Sequence, residues 1–292
     1  MNAVLDRRKL TAKVMGTFAS LHVDDPVAGT VVDVAWREAL GLLVDIEHRF
    51  STFRTESEIS RINRGDLHLL DASADVLEVM DACTWLEHES NGVFRARRGD
   101  GSLDPAGFVK GWAAERAGRV LTEHGLTRWY LNVGGDIQTA GRQASGEQWR
   151  IGVVDPFDKT AVAAWFDIPD SWAVATSGTA ARGAHVWDGR NGSAVSRAGS
   201  FTVIGPHLMW ADAFATVCFA LGDGAGEWLT RYPDYKGFSV CNYPKNGELH
   251  TENPQVSGFW SRRNFSNSAA RSSPLGIDAS DRRSNCCSSM RT

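Results

Sequence analysis

The chain has 292 residues, 42% of them hydrophobic, with 35 acidic against 31 basic side chains and a formal net charge of -4. That length accommodates one large domain or two small ones around a sizeable core. The slightly acidic balance gives no global attraction to polyanions and so argues against nucleic acid or an acidic membrane surface as the main partner. No apolar run approaches the roughly eighteen residues of a membrane span, and Met1 to Lys13 lacks an apolar signal core, so the expectation is a soluble, unprocessed, cytoplasmic protein without membrane insertion. Cys83, Cys218, Cys241, Cys286 and Cys287 show neither metal-ligand spacing nor a paired framework and read as reduced thiols.

Along the chain, Val14 to Asp24 reads as a first strand after a charged lead. Val31 to Phe50 repeats apolar residues at helical spacing (Val32, Trp36, Ala39, Leu43, Ile46), and Asp75 to Glu89 does so again before Asn91-Gly92 breaks the pattern. A polar, arginine-bearing loop from Phe94 leads into Asp104-Pro105-Ala106-Gly107. The helical period then returns over Val109 to His124, with Gly125 as a stop. Trp129 to Val133 is a short strand running into Gly134-Gly135-Asp136. Strands follow at Trp149 to Val154, Ala163 to Ile168, Trp172 to Ser177 and Phe201 to Ile204. Trp210 to Gly222 reads as a buried helix of small residues. Helices and strands do not alternate as regular βαβ units, so the pattern indicates an α+β fold with mainly antiparallel sheets. After about Thr251 the composition turns to serine, asparagine and arginine. The expected organisation is therefore a folded domain over residues 1–250 and a disordered or loosely packed extension over 251–292.

Several positions could carry chemistry. Asp212 and Thr216 lie four residues apart, on one helix face, and together offer hard oxygen ligands suited to Mg2+; the same spacing also serves a local side-chain hydrogen bond. Asp104 and Lys110 bracket a turn that opens a helix, where a lysine can meet a phosphate or a ring carbonyl. On spacing alone, an Asp N-cap and a solvated lysine is the preferred explanation. Thr176-Ser177-Gly178 is a hydroxyl-rich strand exit able to donate to phosphate oxygens. His185 follows a short loop containing Arg182. Gly134-Gly135-Asp136 lacks the spacing of a dinucleotide fingerprint, so its glycines read as a tight turn.

The order of these pieces resembles the ApbE family of FAD:protein FMN transferases. The matching segments are Met15-Gly16-Thr17, Phe50-Ser51-Thr52-Phe53, Ser57-Glu58-Ile59-Ser60-Arg61-Ile62-Asn63, Asp104 through Gly111, Asn132-Val133-Gly134-Gly135-Asp136, Trp149 through Gly152 with Asp155-Pro156, Ala175 through Gly178, His185-Val186 and Ala211 through Thr216. The resemblance implies an ApbE-like, T-fold-related architecture whose sheets are flanked by helices. It implies a Mg2+-dependent enzyme that moves FMN from FAD to a threonine in a motif of an acceptor protein, releasing AMP. Mg2+ would be held by Asp212, Thr216 and the Gly107 carbonyl. FAD would contact Met15, Phe53, Asp104, Lys110 and Val186, with Phe94, Arg95 and Ala96 near the flavin and Thr176, Ser177 and Gly178 along the pyrophosphate. His185, beside the catalytic carboxylate Asp212, would take the proton from the acceptor hydroxyl. The chain departs from the family pattern at Trp187-Asp188-Gly189-Arg190-Asn191, after His185-Val186, and at Thr179-Ala180-Ala181, where an aromatic residue is common. Two other readings use the same residues: a Mg2+-dependent FAD pyrophosphatase, and a non-catalytic FAD-binding protein.

Overall fold

The computed structural model describes residues 8–179 and 186–241, together with the backbone of 255–258. Its framework is an eight-stranded sheet in which every neighbouring pair is antiparallel. In spatial order the strands are β1 (Arg8–Val14), β2 (Thr17–Val23), β3 (Trp129–Val133), β4 (Asp136–Ala140), β7 (Ala173–Gly178), β10 (Gly199–Gly205), β11 (Lys236–Cys241) and β12 (Gln255–Gly258). Two separate ribbons pair β5 (Trp149–Val154) with β6 (Val162–Ile168), and β8 (Trp187–Asp188) with β9 (Ser193–Ala194).

The stretch read as one strand over Val14 to Asp24 is the second arm of a hairpin. Met15 and Gly16 both adopt positive φ, at 53° and 67°, which is the backbone of a two-residue hairpin turn matched to strand twist. The charged lead becomes edge strand β1, where exposed Lys9 and Thr11 alternate with less exposed neighbours. A second tight turn, at Gly134-Gly135, joins β3 to β4 and packs beside the first. A side chain on Gly134 would come 3.0 Å from Thr17. The stretch after residue 251 also contributes a strand, since β12 extends the sheet beyond β11.

Six helices complete the described fold: α1 (Gly29–Phe50), α2 (Glu58–Arg64), α3 (Ala74–Glu89), α4 (Ala106–Glu123), α5 (Leu208–Leu221) and α6 (Ala225–Leu229). Helix α5 is apolar almost all round, as a helix buried on every side must be. It lies across β7 and β10 and packs against α4, which in turn packs against α1. The opposite face of the sheet is covered by the β5–β6 ribbon rather than by helices. Ile151, Val153, Phe166 and Ile168 from the ribbon meet Val174, Ile204, Phe238 and Val240 from the sheet. Among the described residues, no helix is long and apolar enough to cross a membrane.

Candidate functional site

The α4–α5 crossing brings together polar groups that are distant in sequence. Lys110 of α4 forms ion pairs with both Asp136, at the head of β4, and Asp212 of α5, the latter at 3.3 Å. Both carboxylates are buried, at 0% and 2% exposure. Asp136 Oδ1 also accepts the Thr176 backbone N–H at 3.1 Å, and Asp212 Oδ2 accepts the Gly111 N–H at 2.9 Å. Burial works to lower the Lys110 pKa, but the charges of Asp136 and Asp212 outweigh it and hold the ammonium above its ordinary range. Burial pushes the Asp212 carboxyl up, and the neighbouring Asp136 charge adds to that push against the pull of Lys110 and the Gly111 N–H.

Close approach of the two helices depends on Gly111. A Cβ there would lie 2.7 Å from Asp212 Cβ and 2.9 Å from the Leu208 carbonyl. The Gly111 N–H is the group that a regular helix directs at the carbonyl of Gly107, four residues back. One turn along α5, the Thr216 hydroxyl meets Ser177 Oγ at 2.9 Å. Among the described residues no three His, Cys, Asp or Glu side chains assemble as a metal cage. Asp212 and Thr216 both meet residues of neighbouring elements, the Gly111 amide of α4 and the Ser177 hydroxyl of β7.

Around this centre the motif segments serve as braces. Ser57 caps α2 by accepting the Ser60 N–H at 3.0 Å, and the Ser57 and Ser60 hydroxyls both donate to the Ser51 carbonyl, at 2.5 and 3.2 Å. Asn63 exchanges two hydrogen bonds with the Leu103 backbone, at 2.9 and 2.7 Å, and so fixes the approach to Asp104. Asp104 accepts the Ala106 N–H at 3.2 Å at the start of α4 and pairs with Arg98. Met15 sits in its hairpin turn with its N–H donated to Glu47 of α1 at 2.8 Å.

The expected flavin contacts divide. Phe94 is buried, its ring lying against Gly107, and Ala96 is buried with its carbonyl accepting the Asp104 N–H at 2.6 Å. Arg95 pairs with Glu87 at 3.2 Å. Phe53 is 98% exposed in the loop between α1 and α2. Val186 is buried, and its carbonyl accepts the Val195 N–H at 2.8 Å. Beside it Trp187 is 51% exposed, with the Arg98 guanidinium 5.8 Å from its ring. Gly178 lies against β10, where a Cβ would meet the Gly199 carbonyl at 2.5 Å. His185 and Arg182 lie outside the described residues.

Thr176 and Ser177 point to opposite faces of the sheet, as successive strand residues do. Ser177 faces Thr216 on α5, whereas the Thr176 hydroxyl bonds Thr202 Oγ1 at 2.9 Å on the side of the ribbon. Only the backbone N–H of Thr176 reaches the cluster. Asp136 is the residue that sequence reasoning passed over as a site member. Its signal was a carboxylate directly after a Gly-Gly turn.

Residues 15–100 and 95–238 match the ApbE family. Among curated relatives, the FAD:protein FMN transferase of Salmonella typhimurium is 30% identical over 156 residues, covering 50% of this chain and 43% of the relative. That of Escherichia coli (strain K12) is 29% identical over 169 residues, covering 54% of this chain and 47% of the relative. The matched stretch thus spans less than half the length of these relatives. The fold is similar to that of the flavin transferase ApbE from Vibrio cholerae, with a TM-score of 0.70 at 18% identity over 87% of this chain and 97% of that one.

Proposed function

This chain belongs to the ApbE family, and we propose that it transfers FMN from FAD to a threonine of an acceptor protein with the help of Mg2+, releasing AMP. The observation that carries this reading is the buried meeting of Lys110, Asp136 and Asp212, with Asp212 also accepting the Gly111 N–H. Three ionisable groups drawn from α4, β4 and α5 are costly to bury for stability alone, and such clusters concentrate where charge is handled. Asp212, Thr216 and the Gly107 carbonyl would hold Mg2+. When bound, the cation supplies neutralisation of the pyrophosphate and of the leaving phosphate oxygen.

The chain's own groups have separate tasks in this reading. Lys110 would give its positive charge to a phosphate oxygen, and the Ser177 hydroxyl would donate a hydrogen bond along the pyrophosphate. Met15, Phe53, Asp104 and Val186 would border the flavin, with Phe94 and Ala96 as a packed floor beneath the start of α4. His185 would accept the proton of the acceptor hydroxyl as its oxygen attacks the FMN-side phosphorus. The bond from that phosphorus to the bridging oxygen then breaks, and AMP departs.

The test is co-expression with an acceptor carrying an Asp-x-x-Ser/Thr-Gly-Ala-Thr segment, read by in-gel flavin fluorescence and by the mass of the acceptor. The expected result is one FMN added to the threonine, with none added when Asp212→Ala replaces the wild type. Release of FMN and AMP with an unmodified acceptor would show a pyrophosphatase instead.

A further inference from the structure

Helix α5 begins without a cap of its own. His207 stands at the N-cap position with no side-chain bond to the first turn, and that turn contains no acidic residue. The first backbone N–H groups of a helix have no partner within it, and the helix end carries partial positive charge. Here the missing carboxylate comes from another helix. Glu115 of α4, only 4% exposed, accepts the Met209 N–H at 3.1 Å. Its other oxygen receives Arg119 at 3.0 Å and lies 3.4 Å from His207 Nδ1. Burial works to raise the Glu115 pKa, but bonds from His207, Met209 and Arg119 hold it below the ordinary range, so the group stays ionised.

This bond is one half of a reciprocal pair. Gly111 of α4 gives its N–H to the Asp212 carboxylate of α5, and Met209 of α5 gives its N–H to the Glu115 carboxylate of α4. Gly111 and Glu115 lie one turn apart on α4, and Met209 and Asp212 lie three residues apart on α5, so the two bonds clamp one turn of each helix. We propose that Glu115 is a positioning residue for the site: by capping α5 from α4 it sets the register in which Asp212 meets Gly111 and Lys110. The link to Mg2+ rests on the flavin-transfer reading; the clamp itself does not.

The experiment uses the full chain and two readouts, amide hydrogen exchange at Gly111 by NMR and Mg2+ affinity by titration in the presence of FAD. Glu115→Leu keeps the bulk and removes the acceptor. Should that variant fail to fold, Glu115→Asp keeps the charge but withdraws it from Met209. Either variant should expose Gly111 to faster exchange and weaken Mg2+ binding about ten- to a hundredfold, the range seen when groups that orient metal ligands are lost. Glu115→Gln, which retains an oxygen for the Met209 N–H, should restore most of both. Gly111 exchange and Mg2+ affinity at wild-type values in a folded Leu or Asp variant would overturn the proposal. If the wild type itself takes up no Mg2+ with FAD, the flavin-transfer reading fails, while Gly111 exchange still decides the clamp.

Discussion

Gly111 and Asp212 touch across the α4–α5 crossing, with the glycine N–H donated to the carboxylate at 2.9 Å and no room for a Cβ between them. Gly111→Ala should be harmful in spite of the helix propensity it gains, about 1 kcal/mol. The Leu208 carbonyl at 2.9 Å is backbone and cannot rotate away. Overpacking of this kind costs about 1–3 kcal/mol, so the net expectation is a lowered melting temperature together with weakened Mg2+ binding, read by calorimetry and metal titration.

The Lys110, Asp136 and Asp212 cluster has one basic and two acidic members, which makes the consequences of substitution unequal. Lys110→Met leaves two buried carboxyl groups without their basic partner and should destabilise by about 3–5 kcal/mol. Asp212→Asn leaves a balanced Lys110–Asp136 pair and an amide oxygen for the Gly111 N–H, and should cost only about 1 kcal/mol. Denaturant unfolding with and without Mg2+ separates them. The Lys110 variant should gain more stability from Mg2+ than the wild type does, and the Asp212 variant should gain none. An Asp212→Asn protein less stable than Lys110→Met would contradict this charge balance.

Much of this arrangement is legible in the sequence, and the parts that are not share a cause. Apolar periodicity marks α1 and α3 nearly to the residue, because their buried stripes (Val32, Trp36, Ala39, Leu43 and Val76, Val79, Cys83, Leu86) are set locally. Asp212 and Thr216 are recognisable as a pair because helix geometry alone places them on one face. Asp136 is not, since its meeting with Lys110 and Asp212 depends on the order of strands in the sheet and the crossing of two helices. The Gly111 to Asp212 bond spans 101 residues. Strand β4 is hard to read for a related reason: Asp136-Ile137-Gln138-Thr139-Ala140 is only five residues long and is held by its neighbours on both sides. Thr176 shows the opposite hazard, since a motif places it beside Ser177 while strand alternation turns its hydroxyl away.

That alternation gives a paired expectation. Ser177→Ala removes the hydroxyl that faces Thr216 and should reduce flavin transfer while leaving the melting temperature nearly unchanged. Thr176→Val removes a hydroxyl bonded to buried Thr202 on the far face and should cost about 1–3 kcal/mol of stability through the orphaned partner. Transfer per folded molecule should stay at the wild-type level in the valine variant, because the Thr176 N–H to Asp136 survives. Comparable loss of transfer in both variants, measured on samples of known folded fraction, would mean that Thr176 acts through its hydroxyl.

Phe53 separates binding from stability most sharply. Its ring is 98% exposed and buries nothing against the described protein, so Phe53→Ala should change unfolding free energy by no more than about 0.5 kcal/mol. The loop that carries it is anchored by Ser51, whose carbonyl takes both the Ser57 and Ser60 hydroxyls, and its position therefore survives the substitution. If the ring covers the flavin, its loss removes burial and stacking worth about 1.5–3 kcal/mol, or roughly ten- to a hundredfold in FAD affinity. Quenching of flavin fluorescence on titration reads that affinity directly, and transfer at saturating FAD should remain near the wild-type rate. An unchanged FAD affinity in a fully folded variant would remove Phe53 from the flavin site and leave it as an exposed aromatic available to the acceptor.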